Sequence, residues 1–83
     1  MLRVLFFARV REQLGCDSVE LPLTGTSTTV AGLLATLIQR GPTWQAALGQ
    51  PNLVVAVNQR VVDQATGLSA GDEVAFFPPV TGG

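Results

Sequence analysis

Few side chains in this 83-residue sequence could do acid, base or nucleophilic chemistry. It holds six acidic residues, five basic residues that are all Arg, one Cys, and no His, Lys or Tyr. The lack of His excludes a Ser-His or Cys-His centre and a zinc site with imidazole ligands. The lack of Lys excludes a Schiff base and the lysine of a phosphate-binding P-loop. We therefore expect no complete active site within the chain.

The remaining chemistry points to the end of the sequence, Pro78-Pro79-Val80-Thr81-Gly82-Gly83. The two prolines offer no N–H to a β-ladder, so they end the preceding strand and hold the next residues extended. We expect Gly83 to carry a free carboxylate and Gly82, which has no Cβ, to let the backbone lie close to a nucleotide. Activation as an acyl-adenylate, followed by capture of sulfur, would give a thiocarboxylate. The alternative is that the glycines are an ordinary frayed terminus.

The composition limits the class of protein. Hydrophobic residues make up 47% of the chain and charged residues 13%, more apolar surface than one small core can hide. A net charge of −1 argues against nucleic acid as a partner. The apolar runs are far shorter than the ~18 residues of a membrane span, and a single Cys cannot form an internal disulfide. We expect a soluble, cytoplasmic, single-domain protein.

Alternating hydrophobicity and turn residues predict five short strands. The first strand places Val4, Phe6 and Ala8 on its inner face, whereas Leu5 and Phe7 share the outer face with arginines. In the last strand Ala75 and Phe77 share the outer face with an acidic residue. Apolar residues are thus predicted on an outer face. The predicted strands are Leu2–Ala8, Asp17–Leu23, Leu53–Val57, Arg60–Asp63 and Glu73–Phe77.

One main helix is predicted over Val30–Arg40, where apolar residues recur at i, i+3, i+4, i+7 and i+8. Thr29 or Thr28 is its expected N-cap, and Gly41 its expected left-handed C-cap. Thr43–Leu48 is predicted to make one helical turn whose tryptophan covers the core. The fold class is α+β, a mixed sheet packed on one main helix. The domain covers residues 1–77, and an extended tail covers residues 78–83.

Both ends of the sequence resemble a known family. The segments Val4-Leu5-Phe6-Phe7-Ala8-Arg9-Val10-Arg11-Glu12 and Gly71-Asp72-Glu73-Val74-Ala75-Phe76-Phe77-Pro78-Pro79-Val80-Thr81-Gly82-Gly83 resemble the small, sulfur-carrying subunit of molybdopterin synthase. Ala56-Val57-Asn58-Gln59 also fits that family. The similarity spans the chain and is loose between Asp17 and Gln50. It implies a ubiquitin-like β-grasp fold.

The resemblance also implies a function in molybdenum cofactor biosynthesis. A ubiquitin-activating-like adenylyltransferase, using ATP and magnesium, would adenylate Gly83, and a sulfur donor would convert it to a thiocarboxylate. The tail would then enter the large synthase subunit and deliver sulfur to cyclic pyranopterin monophosphate, forming the dithiolene of molybdopterin. The catalytic pocket would lie in the large subunit of a heterotetrameric sulfurtransferase. No cofactor or metal is expected on this chain alone.

In a β-grasp sheet the first and last strands are neighbours, which brings the predicted outer apolar residues together. We therefore expect Phe7, Val61 and Phe77 to anchor both partners, and we expect the tail residues Pro78, Pro79, Val80 and Thr81 to bind them too. The alternative is that one of these phenylalanines belongs to the core. Cys16 is interpreted as incidental, because the chain has no His or Lys to activate its thiol.

Three other functions remain open at this point. Thiamin-pathway sulfur carriers share the fold and the glycine pair. A ubiquitin-like protein modifier would join Gly83 to lysines of target proteins. A plain interaction module would not use the tail at all.

Overall fold

Five strands and three helices form the part of the chain that the structure, a computed structural model, describes: residues 1–23 and 28–78. No helix in these two ranges is long and apolar enough to cross a membrane. In chain order the elements are β1 (Leu2–Phe6), α1 (Ala8–Leu14), β2 (Ser18–Leu21), α2 (Val30–Ile38), α3 (Pro42–Leu48), β3 (Val54–Val57), β4 (Arg60–Val62) and β5 (Glu73–Phe77).

The strands form one mixed sheet in the order β2-β1-β5-β3-β4. The central pair, β1 and β5, is parallel, with Val4 opposite Val74 and Phe6 opposite Phe76. The other pairs are antiparallel. This arrangement confirms the α+β class, the mixed sheet and the adjacency of the first and last strands. Because β1 and β5 are parallel neighbours, their carboxyl-terminal ends lie side by side at the same end of the strands.

The core lies between the inner face of this sheet and the helices. Phe6 and Phe76, both buried, stack at its centre with ring centroids 6.3 Å apart. Trp44 lies edge-on to Phe6 at 5.7 Å and is half-buried, which confirms its predicted position over the core. The guanidinium of Arg40 lies over the indole at 4.9 Å. Other buried core residues include Leu2, Val4, Val10, Val30, Leu33, Leu37, Leu48, Val55, Val57 and Val74.

Helix α2 begins where the sequence predicts. The hydroxyl of Thr29 accepts a hydrogen bond from the N–H of Gly32 at 3.1 Å, so it caps the helix. The helix ends at Ile38 and its C-cap is Gln39, so the predicted end at Arg40 and the predicted left-handed cap at Gly41 are wrong. Gly41, at φ +152° and ψ 177°, instead precedes α3 as its N-cap.

Three other element predictions need correction. The first strand ends at Phe6, because Ala8 takes a positive φ of 53° and starts a helix of seven residues, so Ala8 is not an inner strand residue. The second strand ends at Leu21, before Pro22, which lacks the N–H that a ladder needs. Helix α3 is seven residues long and thus extends beyond the predicted single turn.

The hairpin between β3 and β4 turns at Asn58-Gln59, the two residues that the predicted strands Leu53–Val57 and Arg60–Asp63 leave between them. Both residues have positive φ, 51° and 69°, as expected of a two-residue type I′ turn. The Asn58 side chain also fastens the turn to β5: its Nδ2 donates to Asp72 at 3.0 Å, and its Oδ1 accepts from the N–H of Glu73 at 3.1 Å. The start of β5 is therefore held by a side chain from a distant turn.

Candidate functional site

The sheet face turned away from the helices carries an apolar surface on four neighbouring strands. Register assigns its members: Leu5 lies opposite Ala75, Ala75 opposite Ala56, and Ala56 opposite Val61. In the next row Phe77 lies opposite Val54. We call this surface the outer apolar patch. Its residues are Leu5, Phe7, Val54, Ala56, Val61, Ala75 and Phe77.

The aromatic end of the patch is a stacked pair. The rings of Phe7 and Phe77 lie parallel, 8° apart in orientation, with centroids separated by 4.8 Å. Phe7 is 39% exposed and Phe77 is half-buried. The core is filled by the other two phenylalanines of the chain, Phe6 and Phe76. The prediction that Phe7 and Phe77 share the outer face is therefore confirmed, and neither is a core residue.

The middle row of the patch has a floor of small side chains. Ala56 and Ala75 are only 6% and 8% exposed, although neither is part of the contiguous core cluster under the helices. Val61 stands on the edge strand and is 72% exposed. At a strand spacing of about 4.8 Å, the row from Leu5 to Val61 is about 14 Å wide. The patch thus has small side chains in the middle of this row, an exposed valine at one end of it, and the stacked Phe7–Phe77 pair, which we call the aromatic wall, in the neighbouring row.

Sequence reasoning named five of these seven residues and missed Val54 and Ala56. The signal was the uninterrupted apolar run Leu53–Val57, because a strand without alternation has two apolar faces. Register decides which residues face outward: Val55 and Val57 belong to the core cluster, so Val54 and Ala56 face the other side.

Charged residues border the patch at both ends. At one end Arg3 lies between Glu20 on β2 and Glu73 on β5 in directly opposed positions. A pit of about 240 Å³ opens beside them, lined also by Met1 and Gly71. At the aromatic end a second pit of about 300 Å³ is lined by Leu5, Phe6, Phe7, Arg11, Asp17 and Ser18. A docking partner would therefore meet apolar residues in the middle and charges at the margins.

The tail begins at the aromatic end of the patch. Because β1 and β5 are parallel, Phe7 and Phe77 lie side by side at the carboxyl-terminal ends of these strands. Half-buried Pro78 follows Phe77 directly. The other predicted tail residues, Pro79, Val80, Thr81, Gly82 and Gly83, lie outside the described residues. Five residues span at most about 18 Å when fully extended. A reactive group at Gly83 would therefore be within about 18 Å of a surface suited to docking.

Within the described ranges we looked for groups that could hold a metal ion and for free N–H groups at the start of α2. These ranges contain no group of three or more His, Cys, Asp or Glu residues that could hold a metal ion. The first N–H groups of α2, at Val30 and Ala31, donate to the carbonyls of Thr66 and Gln64 at 3.0 and 2.9 Å. Cys16 is half-buried and packs against the core. The two N–H groups of α2 and the side chain of Cys16 therefore contribute to the hydrogen bonding and packing of the fold.

Comparison with known proteins places the chain among relatives of similar length. A model described as "ThiS family" matches residues 4–83. The chain belongs to the ThiS family. It is 46% identical over 83 residues to the molybdopterin synthase sulfur carrier subunit of Escherichia coli and 43% identical to that of Haemophilus influenzae. Both alignments cover 100% of each chain. The resemblance to the small subunit of molybdopterin synthase is therefore confirmed.

Solved structures of similar fold agree with this ThiS-family assignment. SAMP1 from Haloferax volcanii, named small archaeal modifier protein 1 in a second structure, has a TM-score of 0.80 at 28% identity, covering 99% of this chain and 98% of that one. A complex of subunits 1 and 2 of the molybdopterin-converting factor from Helicobacter pylori includes a chain with a TM-score of 0.69 at 26% identity. That match covers 99% of this chain and 97% of the other. The fold is the ubiquitin-like β-grasp.

Proposed function

We propose that this ThiS-family protein is the sulfur carrier subunit of a molybdopterin synthase and works in the cytoplasm. Full-length identity of 43–46% to two curated sulfur carrier subunits carries the proposal. The geometry supports it, because the outer apolar patch extends to the point where the tail begins. The side-chain inventory supports it too, since a carrier whose reactive group is a backbone carboxylate needs no His or Lys of its own.

The proposed chemistry takes place on Gly83. Its carboxylate oxygen attacks the α-phosphate of ATP in an adenylyltransferase that holds magnesium, releasing pyrophosphate and giving an acyl-adenylate. Sulfur delivered by a donor at the oxidation level of sulfide attacks the acyl carbon and displaces AMP, which leaves a thiocarboxylate. In the large subunit that sulfur attacks a side-chain carbon of cyclic pyranopterin monophosphate and displaces an oxygen substituent from it. Water then hydrolyses the resulting thioester, which returns the carboxylate and leaves a thiol on the pterin. Two such deliveries supply the two sulfurs of the dithiolene.

The outer apolar patch is the proposed docking surface for the large subunit and for the adenylyltransferase. Phe7, Phe77 and Val61 offer apolar area that the folded protein leaves in water, and its burial would drive association. The Helicobacter pylori complex of two molybdopterin-converting factor subunits supports a large-subunit partner. In the proposed heterotetramer each small subunit would insert its tail into a large subunit.

Reconstitution tests this proposal. The protein is thiocarboxylated with ATP, magnesium, the adenylyltransferase and a sulfur donor, then mixed with the large subunit and cyclic pyranopterin monophosphate. We expect molybdopterin to form in proportion to thiocarboxylate consumed. A chain that ends at Gly82 is the matched control and gives none. If the thiocarboxylated chain binds the large subunit and yields no product, the molybdopterin assignment is wrong, and a thiamin-pathway carrier becomes the better explanation.

A ubiquitin-like protein modifier is the second candidate, favoured by one observation: the Haloferax volcanii relative is named a small archaeal modifier protein. A modifier would share adenylation of Gly83 and transfer its acyl group to target lysines. The products differ, because a modifier leaves isopeptide-linked conjugates, whereas a carrier is released with its carboxylate restored. Intact-mass analysis of the protein recovered from cells distinguishes them.

A further inference from the structure

The junction between β1 and α1 contains a residue in a conformation that its side chain disfavours. Ala8 has a φ of +53°, in the left-handed region where Cβ crowds the following carbonyl. The preceding Phe7 is fully extended, at φ −127° and ψ 155°. The chain therefore changes from strand to helix within one residue, and that residue is alanine where glycine would be relaxed.

Hydrogen bonds and packing on both sides hold Ala8 in this conformation. Before it, the N–H of Phe7 donates to the carbonyl of Phe76 at 3.2 Å and so extends the β1–β5 ladder. After it, the N–H of Arg11 donates to the carbonyl of Phe7 at 3.4 Å, and Val10 is fully buried in the core. Strained backbone persists where surrounding structure fixes it, and it often occurs at functional positions.

Phe7 is the last residue before this turn. Its side chain lies on the outer face of the sheet and stacks on Phe77 with ring centroids 4.8 Å apart. At positive φ an L-alanine has only the small left-handed region open to it, whereas glycine has a broad one. While the surrounding contacts hold residue 8 at positive φ, alanine therefore confines the end of the strand and the ring of Phe7 more tightly than glycine would.

We propose that Ala8 is a positioning residue of the docking surface: its left-handed backbone holds Phe7 against Phe77 at the start of the tail before a partner binds. The aromatic wall is then pre-organised, so association does not have to order it. The inference rests on the proposed function only where it names the large subunit as the partner. The effect on the free protein does not depend on that assignment.

The decisive comparison uses two replacements that relieve the same strain and differ in stiffness. Ala8→Gly relaxes the residue and frees it, whereas D-alanine at position 8 relaxes it and keeps it restricted to positive φ. Cys16 allows both to be made, by native chemical ligation of a synthetic 1–15 peptide thioester to a recombinant 16–83 fragment. Gln59→Gly is the matched control, because Gln59 also has a positive φ, 69°, but lies in the β3–β4 turn.

Two measurements are made on all four chains, including the native one. In the free protein, NMR contacts between the rings of Phe7 and Phe77 should weaken in Ala8→Gly alone. Calorimetric binding to the large subunit should be about three- to tenfold weaker for Ala8→Gly, the cost of ordering one side chain on binding. Affinity should stay within about twofold of native for D-alanine and for Gln59→Gly. Thermal unfolding of each chain shows that it is folded.

Each result decides a separate point. Native ring contacts and native affinity in Ala8→Gly would overturn the proposal, and so would an equal loss of affinity in the D-alanine chain, which would assign the effect to strain. If no chain binds the large subunit, the proposed function fails, and the ring contacts of the free Ala8→Gly protein alone decide whether Ala8 positions Phe7.

Discussion

Val61 provides the sharpest test of the outer apolar patch as a docking surface. It is 72% exposed on a short edge strand, so its replacement disturbs the fold little. We predict that Val61→Asp lowers the free energy of unfolding by less than about 1 kcal/mol, the range of β-propensity on such a surface. The same change should strongly weaken binding to the large subunit.

The size of the binding loss follows from burial. Fully burying a valine side chain stabilises a complex by roughly 1.5–3 kcal/mol, and most of this valine remains available for burial on docking. An aspartate would lose that term and would place a carboxylate without a partner in an apolar interface, which costs at least about 2 kcal/mol more. A loss of about 3 kcal/mol corresponds to an affinity at least about a hundredfold lower.

The assay is calorimetric titration of the large subunit with native protein, Val61→Asp and a charge-matched control. Thr43→Asp is that control, because Thr43 is exposed in the first turn of α3, on the helical side of the sheet, where an acidic residue suits the helix dipole. It should bind like the native protein. Native affinity in Val61→Asp would refute the docking surface, and equal losses in both variants would show a general effect of charge.

Three further predictions concern the scaffold and are checked by urea and thermal unfolding. Asn58→Ala removes two solvent-exposed hydrogen bonds, one to Asp72 and one from the N–H of Glu73, and places alanine at a positive φ, so we expect a loss of about 1–3 kcal/mol; an unchanged midpoint would mean that the side chain does not fasten β5. Gln59→Gly relieves a positive φ in a type I′ turn and should raise the midpoint slightly, whereas a clear decrease would contradict the assigned turn. Leu37→Ala leaves a cavity in the core and should cost about 2–5 kcal/mol; a cost below 1 kcal/mol would contradict its full burial.

The elements with strong local signals were predicted well from the sequence. The apolar residues that recur along α2 and the N-cap Thr29 are neighbours in the sequence. Together they predict the start of the helix correctly. The last strand, Glu73–Phe77, was predicted with its observed bounds, because an acidic residue marks one face and a proline follows. The turn at Asn58-Gln59 was also local and was correct.

The errors come from features that sequence patterns do not encode. An alanine gives no sign that it will adopt positive φ, so the first strand is predicted two residues too long, to Ala8 instead of Phe6. The outward positions of Val54 and Ala56 depend on which strands pair with β3, and pairing is decided by contacts distant in sequence. The adjacency of Phe7 and Phe77 was expected from a family resemblance, and the parallel register of β1 and β5 provides its geometric basis.

The terminal carboxylate is the centre of this account, and its mass is the most direct test. The protein is incubated with ATP, magnesium, the adenylyltransferase and a sulfur donor, and the C-terminal fragment is analysed by tandem mass spectrometry. We predict that sulfur replaces one oxygen at Gly83 and that the exchange disappears when ATP is omitted. An unchanged carboxylate in a reaction whose adenylyltransferase converts a known sulfur carrier, or sulfur found on Cys16 instead, would contradict the account.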